Sequence, residues 1–389
     1  KLRSLEVSLS MIKAILETSL KRRHIIWGFC VLLTIAGIIA CKHMRIEAYP
    51  ELNDTNVMVS TVVPGLAAEE IEKQITTPLE RALSTTPQLI SMRSYSTFAL
   101  SLITLVFQEN TDDYFARQQV INNLGDAILP EGITPSLNPL SGSTGEIYRY
   151  TLQSDVKNLM ELSEIQRWIM TPALRQVPGV VDVNNFGGFT KEFQLLINPI
   201  EMYRYNLSLT NITSALSQNN RNVGGGRITR GEQNYNVRGI GKIQSLEDMG
   251  NIVVKSINGT PILVKNLGVL KFGHKEREGL CGHNHNPDAI QGIVTMRKHS
   301  DTSKVISDVH QKIAELQKIL APMQVKIVTF LDRKNLIDKT IHQVSRTVIE
   351  GIIMVTLILM IYLKNIRCAL VVASSIPFAM FTICLLYTS

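Results

Sequence analysis

The sequence predicts a membrane protein in which α-helical spans carry a large α+β exterior portion, built from two split β-α-β units of which the second is interrupted. Three observations predict this. Long apolar runs without charge stand near both ends of the chain, each beside basic residues. Between them, apolar residues alternate with a period of two and then recur at 3.6, in the order strand, helix, strand, strand, helix. That order then returns with a long gap in its middle.

The first run, residues 24–41, follows Lys21, Arg22 and Arg23. It approaches the ~20 residues that cross a bilayer core, and its basic flank stays on the cytoplasmic side. A secretory signal peptide has the same polarity, but no small-x-small cleavage site follows: the run ends in Cys41-Lys42-His43-Met44-Arg45. An uncleaved anchor is predicted over 24–43. Ahead of it, within 1–23, Ile12, Ile15, Leu16 and Ser19 fall at helical spacing opposite Lys13 and Glu17, which suits an amphipathic helix on the inner membrane face. Two more runs, 348–363 and 368–386, are separated by Lys364-Asn365-Ile366-Arg367. This basic link gives the same orientation as the first, so a second span is predicted over 334–363 and a third over 368–389. Lys1 is no initiator and the third span stops at Ser389, so the chain is expected to be a fragment.

The first exterior unit occupies 44–138. Val57, Val59, Thr61 and Val63 line one face of a strand that Pro64-Gly65 ends. Ile71, Ile75, Leu79 and Leu83 make one helical stripe, with Pro78 as a kink. Strands follow over 89–95 and 99–107, then a helix from Asp112 carrying Val120, Ile121, Leu124 and Ile128, with room for a last strand before Pro139. This is the split βαβ order of a ferredoxin-like sandwich. The second unit opens in 139–189 with a strand over 146–152, a helix with a capping box Ser163-x-x-Gln166 and the stripe Ile165, Ile169, Ala173, and a strand over 180–183. It resumes in 288–333 with a strand over 291–296, a helix bearing Val305, Val309, Ile313, Leu316 and Leu320, and a strand over 325–329. The insert, 190–287, is mixed α+β: a strand over 192–197, a helix over 210–218, then Gly224-Gly225-Gly226 and short strands. No Gly-Lys-Ser/Thr follows the glycines, so they predict a flexible hairpin tip and not a phosphate loop.

The net charge of +7 is spread along the chain and includes the membrane flanks, and no binding motif accompanies it, which argues against nucleic acid. Of five cysteines, only Cys281 lies in the exterior portion, so no disulfide forms within it and its stability must come from a core. No nucleophile-base-orienter set or nucleotide loop is evident, so neither an enzyme nor a cofactor is expected.

Four groups of residues invite a chemical reading. Glu350 is the one acid inside an apolar run and a weak proton-relay candidate; near the exterior start of its span a structural or interfacial role fits it better. Cys281, His283 and His285, with His274 nearby, offer soft and imidazole donors for copper or zinc, an accessory metal contact set against a plain solvated loop. Asp112 and Asp113 suit a helix N-terminus, and Asp113 with Arg117 is an i,i+4 pair, so all three read as structural. Met58, Met92 and Met296 lie in strand patterns and read as core.

Arg93-Ser-Tyr-Ser96, Leu100-Ser101, Thr111-Asp-Asp-Tyr-Phe-Ala-Arg-Gln118, Gly145-Glu-Ile-Tyr148 and Val177-Pro-Gly-Val180, with this domain order, resemble the heavy-metal efflux branch of the resistance-nodulation-division pumps. The resemblance runs from Met11 almost to the end; the Tyr-Phe-Ala-Arg-Gln string is its most branch-specific part. It implies a homotrimer in the bacterial inner membrane, with the two sandwiches as periplasmic porter subdomains and the insert as part of a docking domain. A periplasmic adaptor and an outer-membrane channel would complete a tripartite system that exports metal cations against protons. In the family the coupling carboxylates and the metal-binding methionines belong to parts that would follow Ser389. A pump of the same superfamily for amphiphilic organic molecules is the nearest alternative, though 6% aromatic residues give little to line such a pocket. A membrane-anchored sensor would place a signalling domain after its second span, where this chain enters a third. A protein-translocation accessory subunit of related topology is disfavoured by the Tyr-Phe-Ala-Arg-Gln string.

Overall fold

The computed structural model describes residues 21–43, 54–257, 259–277, 279–364 and 366–388, so the helix expected over 11–20 lies outside the described residues. Helix α1 (Arg23–His43) precedes the α+β portion. Strand β1 (Asn56–Val62) buries Val57, Val59 and Thr61 on one face. Helix α2 is three contiguous pieces, Ala68–Ile71, Glu72–Thr76 and Thr77–Leu83, the middle one a π turn. Pro78 therefore does not simply kink a regular helix. The wide turn before it accommodates a residue that cannot donate a backbone hydrogen bond. Strands β2 (Leu89–Thr97) and β3 (Leu100–Phe107) follow, then α3 (Asp113–Leu124) and a two-residue β4 (Ser136–Leu137). The α3 stripe differs from the predicted one. Ala116 and Val120 are buried, whereas Ile121 is 47% exposed within the helix and Ile128, left in the loop after the helix ends at Leu124, is 89% exposed.

The second unit starts with β5 (Ser141–Gln153) and α4, again three pieces: Leu159–Ile165, a π turn Gln166–Met170, and Thr171–Arg175. Its capping box is Asn158 with Glu161, not Ser163 with Gln166. Ser163 lies inside the helix, where its hydroxyl donates to Leu159 O at 2.7 Å and accepts from Phe189 N at 2.9 Å. After β6 (Val180–Gly187) the insert comprises β7 (Lys191–Ile197), α5 (Pro199–Arg204), α6 (Leu209–Asn219), β8 (Val223–Arg230), β9 (Gln233–Gly239), α7 (Leu246–Gly250), β10 (Val253–Ile257), β11 (Thr260–Leu263) and β12 (Gly268–His274). The triple glycine lies in the β8 arm at a register shift between Gly224 and Arg227, and the turn falls instead at Gly231, whose φ is +65°. The unit then closes with β13 (Ile290–Arg297), α8 (Thr302–Leu320) and β14 (Lys326–Asp332).

Two four-stranded antiparallel sheets result, ordered β2-β3-β1-β4 and β14-β5-β13-β6. Counted within each unit, both read fourth, first, third, second, or the reverse. Each backs onto its two helices over a separate core, one centred on Val59, Ile75, Leu79 and Ile103, the other on Tyr150, Met170, Val294 and Val309. In the insert, β7 pairs with β12 from Lys191↔His274 to Ile197↔Gly268, bringing the insert's two ends side by side.

Two long helices complete the chain, α9 (Arg333–Leu363) and α10 (Ile366–Thr388). Among the described residues these two contain stretches long and apolar enough to cross a membrane, Arg333–Tyr362 and Ala369–Leu386, while α1 holds a shorter apolar run, Gly28–Ala40. α10 packs on α1 and on α9. At Gly37 the approach is so close that a Cβ there would lie 2.7 Å from Phe381 O. Small residues permit such contacts between apolar helices.

Candidate functional site

The loop returning from the insert to β13 forms a tight turn, with His283 N donating to Asn286 O at 2.8 Å and the reciprocal bond at 3.0 Å. Cys281 Sγ donates to Gln291 Oε1 on β13 at 3.2 Å. Burial, and then the Asp288 carboxylate, raise the thiol's pKa, with Arg149 opposing. His283 Nδ1 lies 3.1 Å from Gln153 Nε2, His285 is exposed, and His274 stacks on Phe189 at 4.3 Å. Among the described residues no three His, Cys, Asp or Glu side chains gather as a metal-holding group. Glu350 sits within α9 with its Oε1 accepting from Arg346 Nε at 2.7 Å, both side chains exposed.

Asp113 is where pattern and structure part. Its partner is not Arg117, which donates to Asn138 O at 2.6 Å and whose pKa burial lowers. Asp113 instead accepts from Lys298 Nζ at 3.0 Å, and His299 Nε2 lies 3.4 Å away, both from the turn after β13. Carboxylate and ammonium are about nine-tenths buried, and they tie the first unit to the second. The seam borders a cavity of about 580 Å³ that Asp54, Glu109 and Asp112 also line. A partner 185 residues away leaves no local trace in sequence.

Two more polar constellations belong to the second unit. Inside its core, Tyr150 donates to Gln166 Oε1 at 3.1 Å, and Gln166 Nε2 to Asn185 Oδ1 at 2.7 Å. The π turn is what aims Gln166 inward, and burial holds the Tyr150 phenol far above its ordinary pKa. On the same face of β5, with its ring centroid 6.1 Å from that of Tyr150, Tyr148 borders with His310, Thr329 and Asp332 a cavity of about 500 Å³ at the root of α9. The Tyr148 hydroxyl pairs with Thr329 Oγ1, and its pKa is raised mainly by burial, with Asp332 adding and Thr329 opposing. None of these four was singled out as a site residue, and Tyr148 entered only as the end of Gly145-Glu-Ile-Tyr148. The signal available was a histidine next to Val309 of the predicted α8 stripe and an acid after the last predicted strand.

Comparison with known proteins bears on what this arrangement belongs to. The AcrB/AcrD/AcrF family pattern matches residues 15–389. The chain is 35% identical over 381 residues to the cation efflux system protein CzcA of Alcaligenes sp. (strain CT14), covering 95% of this chain and 36% of the relative. It is equally 35% identical over 381 residues to the cobalt-zinc-cadmium resistance protein CzcA of Cupriavidus metallidurans, with the same coverage. A heavy metal efflux pump solved by X-ray crystallography superposes with a TM-score of 0.90 at 44% identity, over 96% of this chain and 38% of that one. The chain thus spans about a third of the length of the relatives it matches.

Proposed function

Because the chain belongs to the AcrB/AcrD/AcrF family, we propose that it is the amino-terminal portion of a proton-driven pump that exports heavy-metal cations across the bacterial inner membrane. The observation that carries this reading is the joint likeness, in sequence and in backbone, to proteins named for cation efflux, for cobalt-zinc-cadmium resistance and for heavy metal efflux. The two sandwiches, 44–138 and 139–189 with 288–333, act as porter subdomains, and 190–287 as the docking insert. Helices α1, α9 and α10 belong to the membrane bundle. The apolar faces that α9 and α10 leave exposed, including Ile353, Leu357, Ile361 and Val371, suit lipid and neighbouring helices.

The working unit in this reading is a homotrimer joined by a periplasmic adaptor and an outer-membrane channel. The β8–β9 hairpin supports self-association: it projects with Val223, Ile228 and Tyr235 all more than half exposed and belongs to none of the cores. Transport is a shift among porter conformations driven by protonation in the membrane part. Glu350, already paired with Arg346, serves the interface and not the relay. An accessory metal contact at Cys281, His283 and His285 requires the first two to leave Gln291 and Gln153.

The test is growth of a strain lacking the complete gene. Sensitivity to divalent or monovalent heavy-metal cations, restored by the gene, is expected; unchanged metal tolerance with new sensitivity to organic toxicants would overturn the reading. Complementation with the triple variant Cys281→Ser/His283→Ala/His285→Ala belongs to the same experiment. Full rescue removes the accessory contact, and reduced rescue with normal protein level retains it.

A further inference from the structure

Strand β14 passes into α9 without a loop. Asp332 ends the strand, and its carboxylate accepts from Lys334 N at 2.9 Å, capping the helix. At ~1.5 Å per residue, this helix is longer than the ~30 Å hydrocarbon layer, so its first turns stand outside and connect rigidly to the second sheet. From α8, His310 reaches the same point. Its Nε2 lies 2.9 Å from Asp332 Oδ2, yet that nitrogen is buried and makes no hydrogen bond, because the contact is short but poorly aligned. The Tyr148 ring meets the imidazole edge-on at 5.5 Å.

The titratable groups lining this cavity are Tyr148 from β5, His310 from α8 and Asp332 at the joint; α9 contributes the neutral Asn335. A neutral imidazole in this place sets either a lone pair or a misaligned N–H against a carboxylate. A protonated one makes an attractive pair whatever the exact angle, and histidine is the side chain that gains its proton in the physiological range.

We infer that His310 and Asp332 form a proton-operated clasp that fixes α8 to the root of α9 when His310 is charged and frees that root when it is neutral. The clasp answers to the pH of the compartment that bathes the exterior portion, and it does not depend on which substrate is carried. Tyr148 sets the imidazole's position, and the Asp332 cap ties the change directly to the helix.

The test is hydrogen exchange by mass spectrometry on the full-length protein in lipid nanodiscs at pH 5.5 and 7.5, with labelling times scaled for the intrinsic pH dependence of exchange. Amides of 329–340 are expected to exchange up to roughly fivefold more slowly at the lower pH, the scale of a partly exposed ion pair. His310→Gln and Asp332→Asn should each abolish that difference. Asparagine keeps the helix cap, so the second variant isolates the charge, and unchanged protection across β13 verifies the fold of both. A pH response that persists in His310→Gln, or that is missing in the wild type, overturns the clasp. The imidazole resonance of His310, assigned by its loss in the Gln variant, must shift over the same pH interval; a shift over a different interval also overturns it.

Discussion

Tyr150 is fully buried, and its ring lies over Gly292 on the neighbouring strand, where any Cβ would collide with the phenol. The glycine is thus the space the ring occupies, and the hydroxyl has one partner, Gln166. Removing that hydroxyl leaves the buried Gln166 Oε1 without its donor. Tyr150→Phe is therefore expected to destabilise the second unit by about 1–3 kcal/mol, measured by denaturant unfolding. Gln166→Leu should lose less when combined with Tyr150→Phe than the two single losses added, since the pair shares one interaction. Little of this was legible beforehand. Gln166 looked like the end of a capping box because Ser-x-x-Gln matches one, whereas Asn158-x-x-Glu161, one turn earlier, satisfies the same chemistry with a stronger acceptor. Cys281 and His283 were legible as donors but not as neighbours of glutamines, because Gln153 and Gln291 come to them through strand pairing.

At the scale of elements, periodicity read well where it was strict. Ile71, Ile75, Leu79 and Leu83 are all fully buried, yet a spacing of four in a 3.6-residue helix drifts by about 40° per step. The π turn at Glu72–Thr76 takes up that drift. The same device recurs before Thr171-Pro172 as it does before Thr77-Pro78, so a four-residue stripe running into Thr-Pro was the readable sign of both. It was missed because either feature alone is satisfied by an ordinary helix. The close crossing of α1 and α10 had no such sign, since nothing in the run sets Gly37 apart from its other small residues, Gly28, Ala36 and Ala40. Its consequence is testable: Gly37→Val should separate the two helices and lower the unfolding temperature of the protein in detergent, while Gly28→Val, which meets nothing nearby, should have little effect.

For the whole molecule, the two units have separate cores and meet at Asp113 with Lys298 and His299. Truncating one member strands a nearly buried charge, a loss of ~3–5 kcal/mol in comparable cases. Asp113→Ala is expected to raise hydrogen exchange on both sides of the seam while leaving each sheet's central strands protected. Equal exchange in wild type and variant would show the pair to be incidental. The strand order within each sheet was legible because each unit repeats one pattern of periods. The seam was not, because it joins positions that only the folded chain brings together.

The strand order β14-β5-β13-β6 also sets a schedule for synthesis. β5 and β6 leave the ribosome first, but neither pairs with the other, and the strand that joins them begins only at Ile290. Until then both present apolar, unpaired edges, the kind of surface on which nascent chains aggregate. Folding of the insert relieves this, since pairing of β7 with β12 brings its two ends together and shortens the loop that β13 must close. A synthesis that halts inside the insert therefore leaves β5 and β6 without the strand that lies between them.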